Sequence, residues 1–165
     1  MTRLKETIVA ASPPSIALAA IERYIVEHAN LLQLTVPLHY VGLDTGLELG
    51  RGVEVSFESH PNRRLVGRQP DRIELTWAPV GGGPYPNFTG TLIARPFGTQ
   101  TELELNGSYK PPFGAVGKTF DAVLGKKIAH ATAQAFLENL RAVLELDYAS
   151  FKEAAETAPG HTANL

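Results

Sequence analysis

An α+β fold, an antiparallel sheet covered on one face by a long C-terminal helix, is predicted for this chain of 165 residues. Three observations predict it. The middle of the chain alternates apolar and polar residues with a period of two, as half-buried strands do. From about residue 117 the apolar residues recur every three or four positions instead, as on one face of a helix. Between the two regimes stands "KPPFG", residues 110–114, whose two prolines end strand pairing and whose glycine lets the chain turn.

The elements follow in order. Residues 6–11 are expected to form a short strand, closed by "SPP" at 12–14; Ser12 before two prolines marks a helix start. The helix over about 15–28 places Leu18, Ile21 and Ile25 on one face, and "ANLLQL" is expected to add a second short helical turn before Pro37. In "GVEVSFES", Val53, Val55 and Phe57 alternate with Glu54, Ser56 and Glu58. In "RIELTW", Ile73, Leu75 and Trp77 alternate with Arg72, Glu74 and Thr76. "TELELNGSY" sets Leu103, Leu105 and Tyr109 against Glu102, Glu104, Asn106 and Ser108. Weaker strands are expected at 38–43, 63–68 and 88–97, giving a meander of about seven strands with one apolar and one wet face. The last helix carries Phe120, Leu124, Ile128, Thr132, Phe136 and Leu140 in one stripe, with Lys126, Lys127, Glu138, Arg141 and Glu145 outside it. One domain over 1–150 and a frayed tail over 151–165 complete the expectation.

Composition narrows the function classes. With 44% hydrophobic residues the chain can bury a substantial core and enclose a cavity as well. A net charge of −2 supplies no global field for nucleic acid or an anionic membrane. Cysteine is absent, so disulfide and thiol chemistry are excluded, which fits a reducing cytoplasm. The first residues lack the apolar run of a signal peptide, and no stretch approaches the roughly 18 apolar residues of a membrane helix. A cytoplasmic monomer or weak homodimer, without stable membrane insertion, is the expectation.

The residues 106–145, "NGSYKPPFGAVGKTFDAVLGKKIAHATAQAFLENLRAVLE", resemble the last strand, Pro/Gly hinge and C-terminal helix of the START-like, Bet v 1-like (SRPBCC) superfamily. The likeness is nearest to its polyketide cyclase/dehydrase-like branch of bacterial proteins. "TWAPVGGGPYPNFTGTL", residues 76–92, is similar to their preceding strands, and by element order the resemblance spans residues 4–148. It implies the helix-grip fold: a curved sheet wrapped around the final helix, one or two short helices after the first strand, and a cavity between. It also implies a small hydrophobic ligand, such as a lipid, isoprenoid, polyketide or aromatic molecule, and no cofactor. Such a cavity would be lined from the sheet by Tyr40, Phe57, Trp77, Phe88 and Leu92, and by Leu103, Leu105 and Tyr109. From the helix it would be lined by Phe120, Leu124, Ile128, Thr132 and Phe136. Taken singly, each apolar residue here is better explained as core packing than as a ligand contact. The loops at 59–63 and 78–87 and the 110–114 hinge are expected on one rim, with Tyr85 and Phe113 as side chains at the pocket mouth.

Other chemistries find little support. The five histidines, at 28, 39, 60, 130 and 161, show no H-x-x-x-H spacing, so no metal site is expected. No G-x-S-x-G is present, and "GGG" at 81–83 lacks the Lys-Ser/Thr of a phosphate loop. An enzyme of the cyclase/dehydrase type would draw on Tyr40, Tyr109 and His130, with Thr101 and Thr132 nearby. Against it, Glu54, Glu58, Glu74, Glu102 and Glu104 alternate outward and no carboxylate is expected clearly inside. A ligand carrier or sensor is therefore favoured over the enzyme, and a protein-interaction module without ligand is the third alternative.

Overall fold

The computed structural model describes residues 1–28, 32–37, 48–60, 71–79, 87–110 and 120–157; for residues 25, 28, 32–37, 48–60, 71, 79 and 120–125 it describes the backbone alone. The elements are β1 (Thr2–Ala10), α1 (Pro14–His28), β2 (Leu32–Pro37), β3 (Glu48–His60), β4 (Asp71–Pro79), β5 (Asn87–Phe97), β6 (Gln100–Lys110) and α2 (Phe120–Thr157). The strands form one sheet in the order β1-β6-β5-β4-β3-β2, antiparallel throughout. β2 to β6 are a meander. β1 closes it from the other side by pairing with β6, so α1 carries the chain from one edge of the sheet to the other.

Several expectations change. The strand anticipated at 6–11 begins at Thr2, which brings Leu4 into the core. The stretch 32–34, expected to turn as helix, is the start of β2, with Leu32 opposite Val53 of β3. Leu32, Leu34 and Val36 alternate with Gln33 and Thr35, the period of a strand, and the edge of β3 pairs with it. The anticipated strands at 38–43 and 63–68 lie outside the described residues, so six strands are observed among the described residues where about seven were expected. β3 and β4 are direct neighbours, with His60 opposite Arg72 and Val53 opposite Pro79. Hence β3 ends, and β4 begins, at the end of the sheet away from Pro79, Asn87 and Lys110. The three segments expected on one rim are therefore divided: 80–86 and 111–119 leave from one end, whereas 61–70 leaves from the other.

Local chemistry explains the element ends. The carbonyl of Pro13 accepts from the N–H groups of Ile16 and Ala17 at 3.1 and 3.2 Å, which puts Pro14 in the first helical position, where its missing N–H costs nothing. Ser12 is buried but does not cap α1; its carbonyl accepts from Thr101 Oγ1 at 2.6 Å, and its own hydroxyl has no partner among the described residues. Gly98, at φ 62°, leads the two-residue turn between β5 and β6, with Thr99 at negative φ, the pattern of a type II′ hairpin. α2 runs to Thr157, past residue 150; the stretch "FKEAAET" is rich in helix formers but wholly exposed.

The core lies between the sheet's concave face and the two helices. Ile73, Leu75, Leu92, Leu103 and Leu105 of the sheet meet Ala133, Leu137, Leu140 and Leu144 of α2 and Ala17, Ala20 and Ile21 of α1. α1 thus turns alanines inward, with Leu18 only partly buried. At its far end α2 is tied to the rest: Glu145 accepts from the Ala11 N–H at 3.0 Å, and Asp147 pairs with Arg23 of α1. Among the described residues no helix is long and apolar enough to cross a membrane.

Candidate functional site

Strand register builds an aromatic row across the concave face. Trp77 of β4 stands opposite Phe88 of β5, and Phe88 stands opposite Tyr109 of β6. All three are buried, at 1%, 1% and 2% exposure. Trp77 and Phe88 stack with centroids 4.2 Å apart and planes 18° apart, and Phe136 of α2 approaches Trp77 at 5.5 Å with its plane tilted 45°. Offset and tilted pairs of this kind add about 0.5–1.5 kcal/mol beyond their burial. The row lies next to the strand ends at Pro79, Asn87 and Lys110, from which segments 80–86 and 111–119 depart.

Two glycines shape the floor under it. Gly90 and Gly107 face each other across β5 and β6 on the same concave face as Phe88. A Cβ on Gly90 would come within 2.5 Å of the Asn106 carbonyl oxygen and 2.6 Å of the Phe88 ring; one on Gly107 would come within 2.4 Å of the Thr89 carbonyl oxygen. The bare backbone lets β5 and β6 approach closely and lets Phe88 lie over both glycines.

Polar groups on this face are few. Thr132 Oγ1 donates to the Ile128 carbonyl of its own helix at 2.7 Å, so its proton is already engaged. Thr101 likewise donates to Ser12. The Trp77 Nε1–H is buried and has no partner among the described residues, a state that costs about 1–3 kcal/mol if nothing satisfies it.

A carboxylate does face inward. Glu6 shares the phase of Leu4, Ile8 and Ala10 and stands opposite Leu105, and its Oε1 pairs with Nδ1 of His130 on α2. Both are part-buried. The expectation that no carboxylate lies inside is thereby corrected. The alternation of Leu4, Glu6, Ile8 and Ala10 could have shown it, but a strand begun at residue 6 hides the phase. On the opposite, convex face Glu104 is outward as expected yet not wet. Its Oε2 accepts from Arg95 at 2.7 Å and pairs with Lys5 at 3.2 Å, leaving its side chain 5% exposed. Burial pushes this carboxyl up, but hydrogen bonds and charge from Arg95 and Lys5 outweigh that and hold it below its ordinary value.

The structure brings together Trp77, Phe88, Leu92, Leu103, Leu105, Tyr109, Ile128, Thr132 and Phe136, all buried. Phe57 is placed by register opposite Leu75, and Phe120 and Leu124 by their positions in the first turns of α2. His130 stands toward β1, paired with Glu6, away from the aromatic row. Tyr40, Tyr85 and Phe113 lie outside the described residues.

No protein-family model and no curated protein matches the chain. Solved structures similar in shape include TTHA0849 from Thermus thermophilus, at 13% identity and a TM-score of 0.49, over 88% of this chain and 99% of that one. A START superfamily protein from Mycobacterium smegmatis is 12% identical at a TM-score of 0.43, over 90% and 98% of the two chains. The Zhui aromatase/cyclase from Streptomyces sp. R1128 is 12% identical at a TM-score of 0.32, over 96% and 98%. At these identities and TM-scores the neighbours assign no family, ligand, activity or site residue to this chain.

Proposed function

We propose that the protein binds a small hydrophobic molecule between the concave face of its sheet and α2. The observation that supports this most is the row Trp77–Phe88–Tyr109, backed by Phe136, set beside the strand ends from which segments 80–86 and 111–119 leave the sheet. Bulky aromatic walls with few polar groups suit capture of an apolar guest. The entrance is assigned to this end, with Tyr85 and Phe113 as its side chains; Tyr85→Ala is expected to speed uptake of a probe. Native mass spectrometry of the purified protein is expected to show a co-purified apolar molecule. Titration with phenylnaphthylamine is expected to saturate and to quench the emission of Trp77, the one tryptophan of the chain. A protein that carries nothing and takes up no probe has a solid core, and the proposal then fails.

A second reading, an enzyme of the cyclase/dehydrase type, is favoured by one observation, the Glu6–His130 pair on the concave face. A carboxylate that orients an imidazole is suited to moving a proton. The two readings differ in whether a captured molecule leaves unchanged.

A further inference from the structure

The buried Trp77 Nε1–H, without a partner among the described residues, narrows the class of ligand. We propose that the guest is an uncharged apolar molecule bearing a carbonyl oxygen, and that this oxygen accepts a hydrogen bond from Trp77 Nε1. The inference rests on the binding reading above and adds to it the polarity and charge of what is bound.

Three observations carry it. The indole ring is 1% exposed between β4 and α2, and its N–H has no acceptor among the described residues. A buried donor of this kind is ordinarily satisfied, by protein, water or ligand. Two other donors of the same face are engaged, since Thr132 donates to Ile128 and Thr101 to Ser12, which leaves the Tyr109 hydroxyl as the other donor of the aromatic row. Finally, no lysine or arginine occupies an inward position of β1, β4, β5 or β6; Arg51 of β3 shares the inward phase of Val53 and Val55 but stands four residues along the strand from Val55, the residue opposite Trp77. The inward strand positions of β1, β4, β5 and β6 carry two acidic residues, Glu6 and, by register opposite Ala94 at the far end of β4, Asp71; the others are neutral, and the buried positions of α2 are all uncharged. A carboxylate or phosphate brought beside Trp77 would be desolvated with no counter-charge from β1, β4, β5, β6 or the buried face of α2, whereas a ketone, quinone or similar oxygen needs only the one donor. The aromatic row next to that donor would hold the flat or apolar remainder of such a molecule.

The test uses the full chain and three probes of nearly one shape: ethylnaphthalene, acetylnaphthalene and naphthoate. Because the chain has one tryptophan, its indole N–H gives a single magnetic-resonance signal that reports on Trp77 alone. Acetylnaphthalene is expected to bind about 3- to 10-fold more tightly than ethylnaphthalene, the range of one net hydrogen bond. It alone is expected to move the indole proton downfield, and naphthoate is expected to bind most weakly. Trp77→Phe is expected to bring the ratio of the ketone and hydrocarbon affinities to near one. Equal affinities for these two in the wild-type protein, with the same indole shift for both, overturn the inference while the binding reading stands. Tight binding of naphthoate overturns it too, because the site then tolerates an anion. If none of the three binds, the binding reading falls and this inference falls with it. The resonance measurement needs no variant, so a poorly folding Trp77→Phe protein does not stop the test.

Discussion

Glu104 shows how far the identity of a single residue can be from its environment. Period-two alternation puts it on the outer face of β6, and there it lies. What alternation does not show is that β1 supplies Lys5 and β5 supplies Arg95 over the same carboxylate. The two long side chains lay their stems over it and exclude water. Because the folded pKa lies below the ordinary 4.5, the interaction contributes stability above that pH and loses it as pH falls through the folded value. Urea unfolding of wild type and Glu104→Gln at neutral pH and below pH 4.5 is the measurement. The wild type is expected to be the more stable at neutral pH, and the difference is expected to shrink in acid. A difference independent of pH would mean that the carboxylate's charge contributes nothing. Glu6 makes the same point on the other face: its partner His130 lies 124 positions away in sequence, so only the folded chain brings them together.

Among the strands and helices, the close contact of β5 with β6 depends on glycines. β5 and β6 read as ordinary strands from their alternation, and Gly90 and Gly107 look like interruptions of it. Facing each other, they allow a close approach that any side chain would block. Gly107→Ala is expected to lower stability by about 1–3 kcal/mol through overpacking against backbone atoms, read from the shift in the urea midpoint. Gly90→Ala is expected to act in the same direction. A neutral result at both positions would show that the sheet relaxes without them. Alternation made Trp77, Phe88, Leu103, Leu105 and Tyr109 legible as one apolar face, and the helical period did the same for Ile128, Thr132, Phe136 and Leu140. β2 was missed although Leu32, Leu34 and Val36 alternate with Gln33 and Thr35: the expected helical turn over 29–34 cut across that period, and pairing with β3 makes it a strand.

For the whole molecule, the ends of the chain define the body. β1 pairs along its full length with the last strand, and α2 ties down the end of β1 through Glu145 and α1 through Asp147. Beyond Ser150 the helix touches little, and residues 151–157 are all exposed. Ending the chain after Ser150 is therefore expected to change stability by less than about 0.5 kcal/mol, as for other exposed changes. Thermal unfolding of the shortened chain is the check; a large loss would make 151–157 part of the domain.

Local patterning is enough to set the class of each long element, the apolar face of the sheet, the inward stripe of α2 and the hinge between them. All of these are written in the two hydrophobic periods and in the proline and glycine positions. Folding alone selects which strand closes the sheet, which segments share an end of it, that Glu6 meets His130, and that Trp77 buries a donor with no partner among the described residues beside two aromatic rings. Those features depend on which distant backbone groups pair, and antiparallel register, not composition, sets that choice.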